Sequence, residues 1–266
     1  MEISNEYTLI TGATGGLGSA FCHACAKRGE HLFLTARSQE KLDLLCQQLQ
    51  SEYPNVQIKT FAANLANEQG RDALKEKICA EKIQLARLIN VAGADVQKAF
   101  EKYDEGKIRF QCQVNFQAAV ELCHFSLSCK AKTLKIINVS SVSGIYPMPY
   151  FAIYSATKSA LTSFSLSLRE EVMTKGISVT AVLPGAMPTR EDIKEQIKGQ
   201  GLWGKLAAKS PQYVAEKSLL ASDKNKGAYI PGFFNNVMNV TTKILPLSLK
   251  LKFIAKRWSK IEKDSF

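Results

Sequence analysis

The sequence predicts an α/β fold, a doubly wound parallel sheet with helices on both faces. Short apolar runs alternate with amphipathic stretches along most of the chain, the pattern of strand–helix–strand units. The apolar runs lack the in–out alternation of a half-wet sheet, as strands covered on both faces do. A length of 266 residues with 45% hydrophobic content suits one large α/β domain, 1–266.

The strands are expected at 7–11, 31–36, 56–61, 87–90, 134–139, 178–183 and 228–230. Amphipathic helices fall between them. After Ser38, Leu42, Leu45 and Leu49 recur at helical spacing, with Ser38 placed to cap the helix. Two regions leave the alternation. Residues 187–210 are polar, with Gly199, Gly201 and Gly204, and read as a substrate-loop insertion that also holds Trp203. Residues 233–266 form an apolar, basic tail. There a helical wheel groups Leu247, Leu251, Ile254 and Trp258, while Leu249 and Phe253 fall among Lys250, Lys252, Lys256 and Arg257. Such a helix suits an anionic lipid surface or a lid over an apolar groove.

Net charge is +11, and residues 223–266 hold nine basic and three acidic side chains. No recognition motif or interleaved aromatic–basic patch accompanies that charge, so no nucleic-acid partner is expected. Seven irregularly spaced cysteines point to reduced thiols in a cytoplasm. Cys22-His23-Ala24-Cys25 has no second ligand pair and is read as helix packing, not a metal site. His31 and His124 are isolated. Met1 to Asn5 lead straight into the first strand, which predicts no signal peptide, and no run is apolar enough to span a bilayer. The expected location is cytoplasmic, with peripheral membrane contact through the tail.

The first strand ends in Thr11-Gly12-Ala13-Thr14-Gly15-Gly16-Leu17-Gly18, and a helix pattern follows. Glycines let the backbone turn tightly beside a pyrophosphate, and the helix start offers free N–H groups and a positive dipole end. The second strand ends in Ala36-Arg37: no carboxylate for a ribose 2′-hydroxyl, and a guanidinium for a 2′-phosphate. That points to NADP(H). No basic residue precedes Gly15 to add a second contact. Tyr154 and Lys158 form Tyr-x-x-x-Lys, one helical turn apart on one face. Ser141 lies thirteen residues before Tyr154. Asn90-Val91-Ala92-Gly93 ends strand four, Asn115 falls in the next helix, and Pro184-Gly185 and Thr189 follow strand six.

In this order and spacing, residues 7–190 resemble the classical short-chain dehydrogenases/reductases. The resemblance implies a Rossmann-like fold and NADPH-dependent reduction of a ketone or aldehyde, or the reverse oxidation, on a lipophilic or acyl substrate. It places Gly12, Thr14, Gly16, Leu17 and Gly18 at the pyrophosphate, Arg37 at the 2′-phosphate, and Asn64 and Leu65 at the adenine. It places Asn90, Ala92 and Gly93 beside the cofactor, Lys158 at the ribose, and Pro184, Gly185 and Thr189 at the nicotinamide. Tyr154 is then the general acid. Its free value near 10 is expected to be lowered by Lys158 and by oxidised nicotinamide. Ser141 bonds the reacting oxygen. Asn115 resembles the residue that holds a water relaying protons to Lys158. Asn64 replaces the family's usual Asp and Val91 its second Asn. The family also pairs through the helices of Asn115 and Tyr154 into a homodimer or homotetramer; here they carry Phe110, Val114, Leu122, Leu161, Phe164 and Leu168. The alternative is an NADP-binding regulatory or scaffold protein of the same fold, against which the intact Ser141, Tyr154, Lys158 and Asn115 set argues.

Overall fold

The computed structural model describes residues 5–188, 206–244 and 246–259. Seven parallel strands form one sheet in the order β3-β2-β1-β4-β5-β6-β7. They are β1 (Glu6–Thr11), β2 (His31–Ala36), β3 (Ile58–Ala62), β4 (Gln84–Asn90), β5 (Lys130–Val139), β6 (Ile177–Val182) and β7 (Ala228–Tyr229). The chain builds outward from β1 to β3, then crosses back to start β4 on the other side of β1. That reversal opens a crevice at the carboxyl ends of β1 and β4, where such sheets bind ligands.

Strand side chains alternate between two cores. Ile10, Leu32 and Leu34 face α1 (Gly16–Ala26), α2 (Gln39–Glu52) and α7 (Pro211–Asp223), among Phe21, Leu42 and Val214. Leu9, Phe33 and Leu88 face α3 (Glu68–Ala80), α5 (Ala118–Ser128) and α6 (Ala152–Val172), among Leu74, Leu122 and Val172. Burying each such Leu, Ile or Phe stabilises the fold by ~1.5–3 kcal/mol. Side-chain caps fix the helix starts: Ser38 accepts the Lys41 N–H at 3.3 Å, Asn67 the Gly70 N–H at 2.8 Å, and Asp104 the Lys107 N–H at 2.8 Å. Asp104 opens α4 (Glu105–Cys112), which runs through a π-helical turn, Gln113–Gln117, into α5. Beyond β7 lie α8 (Phe233–Ile244) and α9 (Leu247–Trp258).

Most of the 187–210 insertion, with Thr189 and Trp203, lies outside the described residues. Its return limb reaches α7, whose first turn Ser210 caps at Tyr213 N–H. No helix among the described residues is long and apolar enough to cross a membrane.

Candidate active site

The glycine loop is shaped for close approach. Gly12 has φ +64°, and a Cβ there would meet the Ala92 Cα at 2.9 Å. A Cβ on Gly18 would meet the Gly12 carbonyl oxygen at 2.0 Å, so the start of α1 rests directly on the loop. Thr11, just before it, accepts the N–H groups of Val91 and Ala92 at 3.1 Å each. The end of β1 is thereby tied to the end of β4. The Ala13 N–H donates to the Thr35 carbonyl at 3.1 Å and ties the loop to β2 as well. No side chain caps α1, and its first turn holds no acid. Its leading N–H groups, at Gly16, Leu17 and Gly18, therefore remain available to an anion. Arg37 is exposed beyond β2. These residues fit a dinucleotide with a 2′-phosphate.

The proposed catalytic side chains converge at the carboxyl ends of β4 and β5. Ser141 follows β5 and accepts the Ser143 N–H at 3.1 Å, opening a short turn, Val142–Gly144. That turn lies on α6, where a Cβ on Gly144 would meet the Lys158 carbonyl carbon at 2.7 Å. Ser140 donates to the Lys158 carbonyl at 2.7 Å and pins the same turn of α6 to β5. Tyr154 and Lys158 leave one face of α6, and the Lys158 Nζ sits 5.8 Å from the Tyr154 ring centroid. Phe151 stacks on the Tyr154 ring with centroids 4.4 Å apart and 21° between planes. Tyr150, just before it, has φ +63°, a conformation bulky residues rarely adopt. The Lys158 Nζ donates to the Val139 carbonyl at 2.8 Å.

Asn115 sits in the π-helical turn, a distortion often found at functional sites. Its Oδ1 accepts the Ala94 N–H at 2.7 Å, and its Nδ2 donates to the Ala94 carbonyl at 2.9 Å and to Thr157 Oγ1 at 3.2 Å. The amide thus clamps the loop after β4 to α6. Gly93 lies between the two groups: a Cβ there would meet Asn115 Oδ1 at 3.1 Å and Lys158 Nζ at 3.4 Å.

Electrostatics departs from the sequence expectation. Burial pushes the Tyr154 hydroxyl above its ordinary value, the Asp95 charge adds to this, and bonding with Ser141 pulls the other way. The expected lowering by Lys158 is not seen. Burial instead pulls Lys158 itself down to about 8, with Asp95 opposing. The phenol therefore holds its proton at neutral pH, the form a proton donor needs.

Other sequence-predicted positions serve the frame. Asn90 is buried and donates to Asn138 Oδ1 at 2.8 Å, and Asn138 donates to Ser165 at 2.9 Å. That chain joins β4, β5 and α6 beneath the site. Asn64 is exposed and its Oδ1 accepts the Ala66 N–H at 3.1 Å, while Leu65 is buried. The Pro184 carbonyl accepts the Val142 N–H at 3.1 Å, setting the loop after β6 beside the Ser141 turn. Cys22 and Cys25 are buried in the core, and burial pushes both thiols up. Sequence reasoning missed Asp95, Phe151 and the part of Thr11. A carboxylate two residues after Gly93 and an aromatic three before Tyr154 were the available signals.

A doubly wound sheet with a glycine loop at its switch point, facing a Ser–Tyr–Lys set, defines a nucleotide-dependent oxidoreductase of the α/β type. The model of the short chain dehydrogenase family matches residues 6–198, and the chain belongs to that family. It is 31% identical over 191 residues to a very-long-chain 3-oxoacyl-CoA reductase of Bos taurus, a match covering 70% of this chain and 60% of that protein. The chain thus matches about three fifths of that relative's length. Among solved structures, it resembles L-sorbose reductase from Gluconobacter frateurii complexed with NADPH and L-sorbose. That likeness has a TM-score of 0.77 at 26% identity, covering 88% of this chain and 98% of that one. It also resembles a short-chain dehydrogenase from Sphingobium yanoikuyae in complex with NADPH, with a TM-score of 0.73 at 25% identity, covering 91% and 96%.

Proposed function

We propose that this protein reduces a lipophilic ketone or aldehyde, an acyl-chain carbonyl above all, with NADPH. The observation that carries the reading is the convergence of Ser141, Tyr154, Lys158 and Asn115 beside the glycine loop. NADPH, when bound, supplies a hydride to the carbonyl carbon. Ser141 bonds the carbonyl oxygen as negative charge gathers there. Tyr154, protonated at neutral pH, gives that oxygen its proton. The Lys158 ammonium, held by the Val139 carbonyl, is placed to bond the cofactor's ribose. Asn115 shares the floor at Gly93 with Lys158 and belongs to the proton path that resupplies it. The similar proteins, a very-long-chain 3-oxoacyl-CoA reductase, an NADPH-bound L-sorbose reductase and an NADPH-bound short-chain dehydrogenase, support the same chemistry.

Arg37 sets the cofactor choice in this reading. A guanidinium–phosphate pair of ~1.5–3 kcal/mol gives NADPH at least a roughly tenfold advantage over NADH. Arg37→Ala is expected to narrow that gap by weakening NADPH; equal affinities in the native protein contradict it. The enzyme works as a homodimer or homotetramer in the cytoplasm, at the periphery of a membrane. The test of function is NADPH oxidation across ketones and aldehydes that include long-chain 3-oxoacyl thioesters and steroid ketones. Turnover fastest on lipophilic carbonyls is expected. A protein that binds NADPH yet turns over none of them overturns the reading.

A further inference from the structure

The last two helices keep large apolar side chains in water. Phe233 is 84% and Val240 60% exposed, and two turns of α8 place them on one face. Leu249 is 56% and Phe253 67% exposed, one turn apart on α9. Lys252 and Lys256 are exposed on that same side, interleaved with them. Of the face that a helical wheel marks as apolar, Leu251, Ile254 and Trp258 are half-buried and Leu247 alone is exposed. The water-facing stripe of α9 therefore alternates apolar bulk with ammonium groups.

Along the chain, the charge through these two helices has one sign. Residues 224–259 contain seven Lys and Arg and no Asp or Glu. A second copy docking by two-fold symmetry would set this patch on itself, lysine against lysine. An acyl chain lying along the stripe would strip water from Lys252 and Lys256 without a counter-charge. An anionic bilayer satisfies both features: Leu249 and Phe253 enter the headgroup boundary, and the lysines snorkel to the phosphates.

We propose that α8 and α9 dock this protein on an anionic lipid bilayer with the active-site end of the sheet turned toward the lipid. This rests on the reading of the protein as a reductase of lipophilic carbonyls. Asn235, in the first turn of α8, supplies the link. It is buried, and its Nδ2 donates to the carbonyls of Pro231 at 2.9 Å and Ala207 at 3.1 Å. A Cβ on Gly185 would meet that same nitrogen at 2.9 Å. One amide thus packs the start of the docking helix against the loop after β6 and the return limb of the 187–210 insertion. The bilayer contact and the crevice share a wall, so a lipophilic substrate enters from the lipid side.

The full-length protein is sedimented with phosphatidylcholine vesicles, with and without phosphatidylglycerol, at low and high salt. NADPH affinity and turnover of a small soluble ketone are measured in parallel. At least tenfold stronger binding to the anionic vesicles, weakened by salt, is expected. Leu249→Ser with Phe253→Ser, and separately Lys252→Glu with Lys256→Glu, are each expected to cut vesicle binding at least tenfold and leave NADPH affinity and small-ketone turnover unchanged. Absent binding by the native protein, or unchanged binding by both variants, overturns docking. So does a Leu249→Ser, Phe253→Ser protein that falls from dimer to monomer, because the patch then belongs to a second copy. Vesicle binding without turnover of any carbonyl counts instead against the reductase reading.

Discussion

The ammonium of Lys158 sits where burial disfavours its charge, and its value falls from 10.5 to about 8. Its free ammonium therefore disappears in the folded protein at lower pH than in the unfolded chain. Between about 8 and 10.5 the unfolded chain holds the extra proton, so this group makes stability rise with pH across that window. Activity runs the opposite way. Reductive kcat/KM is expected to hold below about pH 8 and to fall above it as the ammonium is lost. Asp95 supports that charge, so Asp95→Asn is expected to move the falling limb to lower pH. A pH–rate profile of both proteins checks this; a native profile flat past pH 10, or coincident limbs, contradicts it. Ser141, Tyr154, Lys158 and Asn115 were legible in the sequence because their chemistry fixes both residue type and spacing. Asp95 and Phe151 were not, because each acts through a neighbour that only the fold supplies: the charge of Lys158 and the ring of Tyr154.

At the level of elements, the contact between the Ser141 turn and α6 sets the geometry of the proposed site. Gly144 lies against backbone atoms: a Cβ added there would stand 2.7 Å from Lys158 C and 2.8 Å from Ser159 N, and neither side can yield cheaply. Gly144→Ala is expected to cost ~1–3 kcal/mol in stability and to lower kcat more than NADPH affinity, as Ser141 shifts from Tyr154. Chemical denaturation with parallel cofactor titration reads both; an unaltered midpoint and kcat contradict the contact. Strand centres were readable because they are apolar runs, and β2 matches its expected bounds, 31–36. Two starts were furthest off. β5 begins at Lys130, not 134, and β4 at Gln84, not 87. Their first residues are polar and become strand only by pairing, Leu85 with Lys130 across a register shift. The π-helical turn at Asn115 also left no mark, since its residues keep helical preferences.

For the whole molecule, the proposed self-association runs through α4, α5 and α6. Leu122 and Leu161 are buried in the subunit's own core and drop out of that surface. Phe110 and Val114 stay half-buried, as does the edge-to-face pair of Phe116 and Phe164, with ring centroids 6.3 Å apart. Light scattering at micromolar concentration is expected to give at least twice the 29.4 kDa chain mass; a monomer contradicts pairing through these helices. In the proposed reaction Tyr154 gives its proton to a carbonyl reduced by NADPH. Tyr154→Phe removes the hydroxyl and keeps the ring against Phe151. Its most direct test pairs a fluorescence titration of NADPH with kcat on a proven ketone, native against variant. NADPH affinity is expected to stay within about twofold while kcat falls by ~10²–10⁴. A variant that keeps near-normal kcat contradicts the account.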